Sequence, residues 1–380
     1  MTRLLLLTIA LIVYASLYPF HFHGVPGNPL LVLLNSWPAV WDRFAYRDAF
    51  VNVAFYAPFG AAATWAWSRR FPGAFAIAPV LLAATALSAA MEMLQVYVPT
   101  RVCSLSDVLF NVIGTAGGIA VALAFHPVPA GRQRVDPVRA SALMLLALYA
   151  GYQLYPFFPV LSHTHLFQEM RDLWAAAGFS PTEVACCAAE WFAALLLVAS
   201  TLRAARGTAL GRMPPALALL SLPLRMVVPT RTLALHEVLG GLLAWLLWTL
   251  LRDPLRLRAA VWLVAAAIVL REMAPFHFAA TASPFSWIPF AASFGSDRMS
   301  ALVIVCRKAF DYGAMVWLLR EIGVPYWRAG VAVAAALAVF EAIQRYLPGR
   351  TPESTDAVLA LLLTVVLWSF DNFQRRRGLA

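Results

Sequence analysis

The sequence predicts an all-α protein, a polytopic transmembrane helical bundle of about twelve spans arranged as three parallel four-helix repeats. Three observations predict it. Of 380 residues 62% are apolar and only 13% are charged, with a mean hydropathy of +0.73, a balance that a soluble domain with a charged surface does not reach. Apolar windows of about 17 to 25 residues, the length that crosses a hydrocarbon core of about 30 Å, recur along the whole chain. One polar motif returns twice more after its first appearance.

The spans fall near 4-20, 48-67, 73-97, 106-126, 139-160, 182-203, 213-228, 233-252, 258-277, 303-321, 327-346 and 356-370. The first begins MTRLLLLTIALIVYAS, which has the build of a signal peptide, but the run continues into a segment that recurs later, so it reads as a retained span. LYPFHF at Leu17 closes it. The second opens at DAFVNVAFYAPFG from Asp48, and the third and fourth are joined by a hairpin turning at Pro99 to Ser104. Ser104 stands three residues ahead of Asp107, a spacing that predicts an N-cap with an acidic residue in the first turn. LYPFFP at Leu154 closes the fifth span and MAPFHF at Met273 the ninth, while the seventh and eighth, and the eleventh and twelfth, are joined by hairpins like the first.

A net charge of +10 does not point to nucleic acid here, because the basic residues sit in short loops between spans, where their asymmetry reads topology. One side collects Arg3, Arg69, Arg70, Arg132, Arg134, Arg139, Arg203, Arg206, Arg212, Arg252, Arg256, Arg258, Arg320, Arg328 and Arg375 to Arg377, and the other holds the remaining twelve of twenty-nine. The expectation is a protein of the cytoplasmic (inner) membrane with both termini cytoplasmic and the motif hairpins outside. Cys103, Cys186, Cys187 and Cys306 show no metal spacing.

The stretch MEMLQVYVPTRVCSLSDVLFNVIG from Met91 returns as FEAIQRYLPGRTPESTDAVLALLL from Phe340. Aligned on Pro99 and Pro348, Glu92 meets Glu341, Gln95 meets Gln344, Arg101 meets Arg350 and Asp107 meets Asp356, without a gap. A worn copy from Leu222 keeps Pro229, Thr230 and Arg231, puts Glu237 at the Asp107 position, and has Leu222 for the first glutamate and Arg225 for the glutamine. The chain therefore divides into units at about 1-130, 135-254 and 256-380, joined by arginine-rich linkers. Units with an even number of spans insert the same way up, so the repeats are parallel.

Charged groups inside a bilayer usually face a bundle interior or a polar cavity. Glu92 and Gln95 share one helix face and Asp107 and Asn111 another, with Arg101 long enough to reach either carboxylate. Two readings follow, beside a third in which the motif is a partner-docking surface. In one, Arg101 bridges Glu92 and Asp107 as a polar clasp of the hairpin. In the other, Asp48, Asn52, Glu92, Gln95, Arg101, Asp107, Asn111 and His21, with Glu341, Gln344, Arg350 and Asp356 in the third unit, line outward-facing sites for an anionic or sugar-bearing envelope molecule, the arginine fork suiting phosphate or carboxylate. His21, His23 and His277 lack an acidic partner set for a metal, and no cofactor is expected. Gly114 and Gly118 form a small-xxx-small pair suited to close helix packing.

At these residues the sequence resembles the VanZ-like family of bacterial membrane proteins, named for a glycopeptide (teicoplanin) resistance determinant. The first unit carries the pattern best, in DAFVNVAFYAPFG and in Glu92, Gln95, Pro99, Arg101, Asp107, Asn111 and Gly114. The third has Ala360 where Asn111 stands and Tyr312 about where Asn52 does, and the middle unit is degenerate. The resemblance implies a membrane location and a link to the cell envelope. It implies no stated reaction, so whether the protein is an enzyme is left open. The expected partners are membrane lipid and a lipid-linked or peptidoglycan-related envelope molecule. The competing classes are a transporter or flippase of an envelope precursor and a scaffold for an envelope-processing enzyme.

Overall fold

The computed structural model describes residues 2-24, 27-38, 43-67, 73-124, 137-154, 162-175, 179-204, 219, 221-223, 225-226, 233-292 and 298-378. Among these the chain is all-helical, without a β-strand. It divides into two compact units, Met1–Arg134 and Val135–Ala380.

The first unit holds α1 (Thr2–Leu17), α2 (Pro29–Leu34), α3 (Arg43–Trp67), α4 (Ile77–Gln95) and α5 (Leu105–Ala124). Pro19, which has no N–H to donate, follows the end of α1. Helix α2 was not anticipated; Pro29 opens it and the Asn28 side chain caps it, accepting from Leu30 N at 2.9 Å. The close pair is α3 with α5. A Cβ at Gly114 would run into the Val53 carbonyl, one at Gly118 into that of Ala57, and one at Gly60 into that of Thr115, so these glycines let two backbones touch. Ile12, Tyr56, Phe59, Val80, Ala84, Met91 and Ile119 fill the core between the helices.

The second unit holds α6 (Pro137–Leu154), α7 (His163–Trp174), α8 (Pro181–Ala204), α9 (Leu235–Leu250), α10 (Leu255–Met273), α11 (Arg298–Glu321), α12 (Tyr326–Gln344) and α13 (Thr355–Gly378). Helix α6 packs on α8 and also on α11 and α13, and the rings of Tyr149 and Phe310 lie 4.6 Å apart between α6 and α11. One hydrophobic core therefore runs through Leu145, Phe192, Phe310, Val316, Leu337 and Leu367.

Eleven of the twelve predicted windows coincide with helices. The window 213-228 lies mostly outside the described residues, and its described parts, 219, 221-223 and 225-226, are in 3-10 conformation. Pro229 to Arg231, Phe158, Trp41 and the linker around Arg132 also lie outside them. Among the described residues five helices, α4, α5, α8, α12 and α13, are long and apolar enough to cross a membrane, and α1, α6 and α9 are shorter apolar helices. Leu6, Leu82, Trp262 and Val339 point large apolar side chains outward from these bundles, the surface expected against lipid.

Candidate functional site

The first motif hairpin leaves α4 at Gln95 and enters α5 at Leu105. Its turn is made by backbone bonds from Val98 N to Gln95 O at 2.9 Å and from Arg101 N to Val98 O at 2.9 Å. Glu92, buried one turn before the end of α4, accepts from Ser104 N at 2.9 Å. Its carboxylate thus sits at the entry of α5, where the helix dipole favours negative charge. Leu105 N donates to Ser36 Oγ at 2.8 Å. The expected Ser104 side-chain cap is replaced, since Ser104 Oγ pairs with Ser106 Oγ at 2.7 Å and groups from other elements take the entry N–H groups. Asp107 lies in the first turn of α5 as anticipated.

Arg101 donates from Nη2 to Ala15 O at 2.8 Å and from Nε to Tyr18 O at 3.3 Å. Gln95 Nε2 donates to Ser16 O at 3.0 Å. Ala15 and Ser16 lie in the last turn of α1 and Tyr18 just after it, so both side chains fasten the hairpin to that helix end, where positive charge and donors are favourable. The Nε and Nη2 groups form the side-on edge of a guanidinium, the edge best shaped for an oxyanion. In Arg101 that edge is committed to backbone. His23 N adds a bond to Tyr97 O at 2.8 Å.

The same bonds recur around Pro348. Glu341 accepts from Glu353 N at 2.8 Å, Arg350 donates from Nε to Ala274 O at 2.9 Å and from Nη2 to Arg271 O, and Ala279 N donates to Tyr346 O at 2.7 Å. Gln344 Nε2 reaches Glu272 O at 3.1 Å and Glu272 Oε2 at 2.7 Å. Phe20 and Phe276, each after a cis proline bond, share a left-handed backbone with φ of 62° and 58°. His21 and His277 beside them are exposed.

The middle copy keeps the task and changes the residues. Ala234 N, just before α9, donates to Glu237 Oε2 at 3.4 Å, and Leu233 N one residue earlier donates to Glu169 Oε2 at 2.9 Å, so a carboxylate from α7 joins in the role that Glu92 plays at the entry of α5. Sequence reading missed Glu169, because α7 has no counterpart in the motif. Glu237 pairs with Arg225 at 2.6 Å, Nη1 to Oε2.

The interiors beneath the hairpins differ more. In the first unit Asn111 Nδ2 donates to Ser88 Oγ at 2.9 Å, joining α5 to α4. Its Oδ1 is buried with no partner, as is Asn52 Nδ2 on α3. The Tyr56 hydroxyl stands close to Ser88 and Glu92 but outside hydrogen-bonding geometry. Asp48, one turn before Asn52 on α3, is half-buried. Beneath the third hairpin, Leu337 stands at the Ser88 position and Ala360 at that of Asn111. Asp356 is held by Lys308 Nζ at 2.6 and 2.7 Å and by the Tyr312 hydroxyl at 2.8 Å, which also lies 2.9 Å from Glu272 Oε1. That network closes on itself. The single phenolic proton serves one carboxylate at a time, so the other contact needs a proton of its own.

A second charged cluster, not anticipated, lies inside the second compact unit. Arg271 Nη1 on α10 donates to Glu190 Oε1 on α8 and to Asp311 Oδ2 on α11, the latter at 2.9 Å. Its sequence signal was present in three isolated ionisable residues of apolar helices, but their convergence was not. Among the described residues no group of three side chains could hold a metal.

Apolar helices, a buried polar hairpin and outward apolar side chains define a multi-pass helical membrane protein. The family model described as VanZ/LLP1 matches residues 3–126. The first unit is thus a VanZ-like unit. No curated protein and no solved structure matches the chain.

Proposed function

We propose that the VanZ-like first unit recognises a hydroxyl- or amide-bearing group of a cell-envelope component at the outer face of the cytoplasmic membrane, and that this recognition alters glycopeptide sensitivity. One observation carries the reading. Asn52 Nδ2 and Asn111 Oδ1 are buried with their hydrogen-bonding capacity unspent, and the Tyr56 hydroxyl stands beside Ser88, the partner of Asn111 Nδ2. Leaving a buried polar group unpaired costs about 1 to 3 kcal/mol, and inside a membrane no bulk water repays it. A ligand presenting both a donor and an acceptor offsets that cost. The arginine asymmetry supports the outer face, and the family supports the envelope link. Unit three, with an apolar interior and a closed Lys308–Asp356–Tyr312 network, serves as support in this scheme. Asp107, Asp48 and Glu92 shape the entrance, while Arg101 acts as a strut rather than as the ligand's fork.

The test is Asn111→Ala, the residue found at the Ala360 position, together with Asn52→Leu. Asn52→Leu removes an unpaired polar atom and should leave abundance in the membrane unchanged or higher, whereas Asn111→Ala also gives up the bond to Ser88 Oγ and should lower it somewhat, so function is compared at matched abundance. The difference in glycopeptide sensitivity between cells with and without the protein should vanish. If the full difference persists at matched protein levels, the recognition reading is wrong. A second reading, movement of an envelope precursor, has one observation behind it: the Arg271–Glu190–Asp311 cluster places ionisable groups inside the second unit, on three helices. Flux of a lipid-linked precursor across proteoliposomes, lost in Glu190→Gln, would favour it.

A further inference from the structure

Arg225 is 2% exposed, and while Nη1 pairs with Glu237, both Nε and Nη2 are buried with no partner. This is the side-on edge that Arg101 and Arg350 spend on carbonyls. Two neighbouring groups on α6 are also unsatisfied. The Tyr149 hydroxyl has no partner, its charged neighbours being Glu190 first and then Arg225, nor does Gln153 Oε1 one turn further along the same face. Gln153 occupies the position of Ser16 and Glu272, counted back from Tyr155-Pro156 as those are from Tyr18-Pro19 and Ala274-Pro275. In the other two copies this is where the motif glutamine donates. There the shared acceptor is the backbone carbonyl; in the middle copy the glutamine is Arg225, whose Nε and Nη2 reach no acceptor.

We propose that the middle copy is a phosphate-binding site, with Arg225, Tyr149 and Gln153 as its ligands, rather than mere scaffold. The inventory selects the ligand. Two parallel guanidinium donors call for two oxygens on one centre, which phosphate and carboxylate both offer. The Tyr149 hydroxyl adds a donor for a further oxygen, and Gln153 Oε1 adds an acceptor that needs a hydroxyl on the ligand. Singly charged inorganic phosphate and a singly charged phosphate monoester have two unprotonated oxygens, a further oxygen and a P–OH; a carboxylate has only two oxygens, and a phosphodiester has no P–OH. Glu237 keeps the guanidinium turned and offsets part of its charge, so the singly charged form of the ligand is the one that fits. A lipid phosphomonoester and free inorganic phosphate share this chemistry.

Thermal unfolding of the purified full-length protein in a phosphate-free maltoside detergent tests it, with inorganic phosphate, short-chain phosphatidic acid or short-chain phosphatidylcholine added. A ligand of the native state raises the midpoint with concentration. The expected result is a saturable rise of several degrees with phosphate, phosphatidic acid or both, and a much smaller one with the diester. A rise with inorganic phosphate alone assigns a water-borne anion; a rise with phosphatidic acid alone assigns a lipid headgroup. The paired variant Arg225→Gln with Glu237→Gln leaves no uncompensated buried charge and installs the residue that the other two copies carry, so it should fold and lose the shift. Tyr149→Phe keeps the ring contacts and should weaken binding roughly tenfold, from the loss of one hydrogen bond. No shift with either phosphate compound, or equal shifts in the wild type and Tyr149→Phe, overturns the proposal; water then fills the fork.

Discussion

At the residue scale the hairpin is defined by what each polar side chain satisfies. Glu92 takes an N–H at the entry of α5, so Glu92→Leu leaves Ser104 N unpaired in an apolar setting and should cost about 1 to 3 kcal/mol. Glu92→Gln keeps an acceptor and should lose less. Chemical denaturation in detergent measures both, and equal losses would mean that the charge, not the bond, matters. Cys103, half-buried in the same loop, has its thiol pushed up to about 11, chiefly by burial and then by the charge of Glu92. Only the thiolate reacts, and for an acid below its pKa that fraction grows about tenfold per pH unit. In a variant whose single cysteine is Cys103, labelling by a charged methanethiosulfonate should therefore keep accelerating from pH 8 to pH 10, where an ordinary thiol levels off. A plateau by pH 9 would contradict the burial. Labelling of intact cells by the same impermeant reagent is expected if the hairpin faces outward; labelling only after lysis inverts the topology.

At the element scale two contacts hold the first unit. One is the glycine seam between α3 and α5. At Gly114 and Gly118 even one methyl meets backbone carbonyl rather than a side chain that can swing away, so Gly114→Ala and Gly118→Ala should each cost at least about 1 to 3 kcal/mol, the range for overpacking. Gly117 has open space beside it, and Gly117→Ala should be neutral or stabilising, since alanine is the better helix former. Similar abundance of all three variants would show that the helices are not this close. The other contact is the Arg101 strut from the hairpin to the end of α1. Arg101→Lys retains charge but not the two-pronged edge that meets Ala15 O and Tyr18 O. It should lower the unfolding midpoint measurably, and Arg101→Gln should lower it further.

At the scale of the whole molecule the decisive feature is that α6 packs on α11 and α13. A fragment 135-380 retains the whole core of Leu145, Phe192, Phe310 and Leu367 and should accumulate in membranes on its own. A fragment 256-380 exposes the face of α11 that meets Tyr149 and leaves Arg271 without Glu190. It should be degraded or aggregate, unless 135-255 is supplied with it. Stable accumulation of 256-380 alone at the level of 135-380 would show that the shared core is not needed.

The sequence by itself determined the helical class, eleven helix positions and the motif residues, because hydrophobic windows and their polar interruptions are local properties of the chain. It also showed which residues of the two better copies would do alike, and Glu92 and Glu341, Gln95 and Gln344, Arg101 and Arg350 do make corresponding bonds. Partners were not legible. Arg101 was read either as a bridge between Glu92 and Asp107 or as a ligand's fork, and neither reading foresaw its bonds to the end of α1, more than eighty residues earlier in the chain. Glu169 joined in the missing glutamate's task from a helix that no motif announced. Whether a buried polar atom ends satisfied or unsatisfied depends on which other helix passes beside it, and only the tertiary structure decides that. Asn111 finds Ser88 with one atom and nothing with the other, whereas the interior beneath the third hairpin is closed by Lys308, Tyr312 and Ala360.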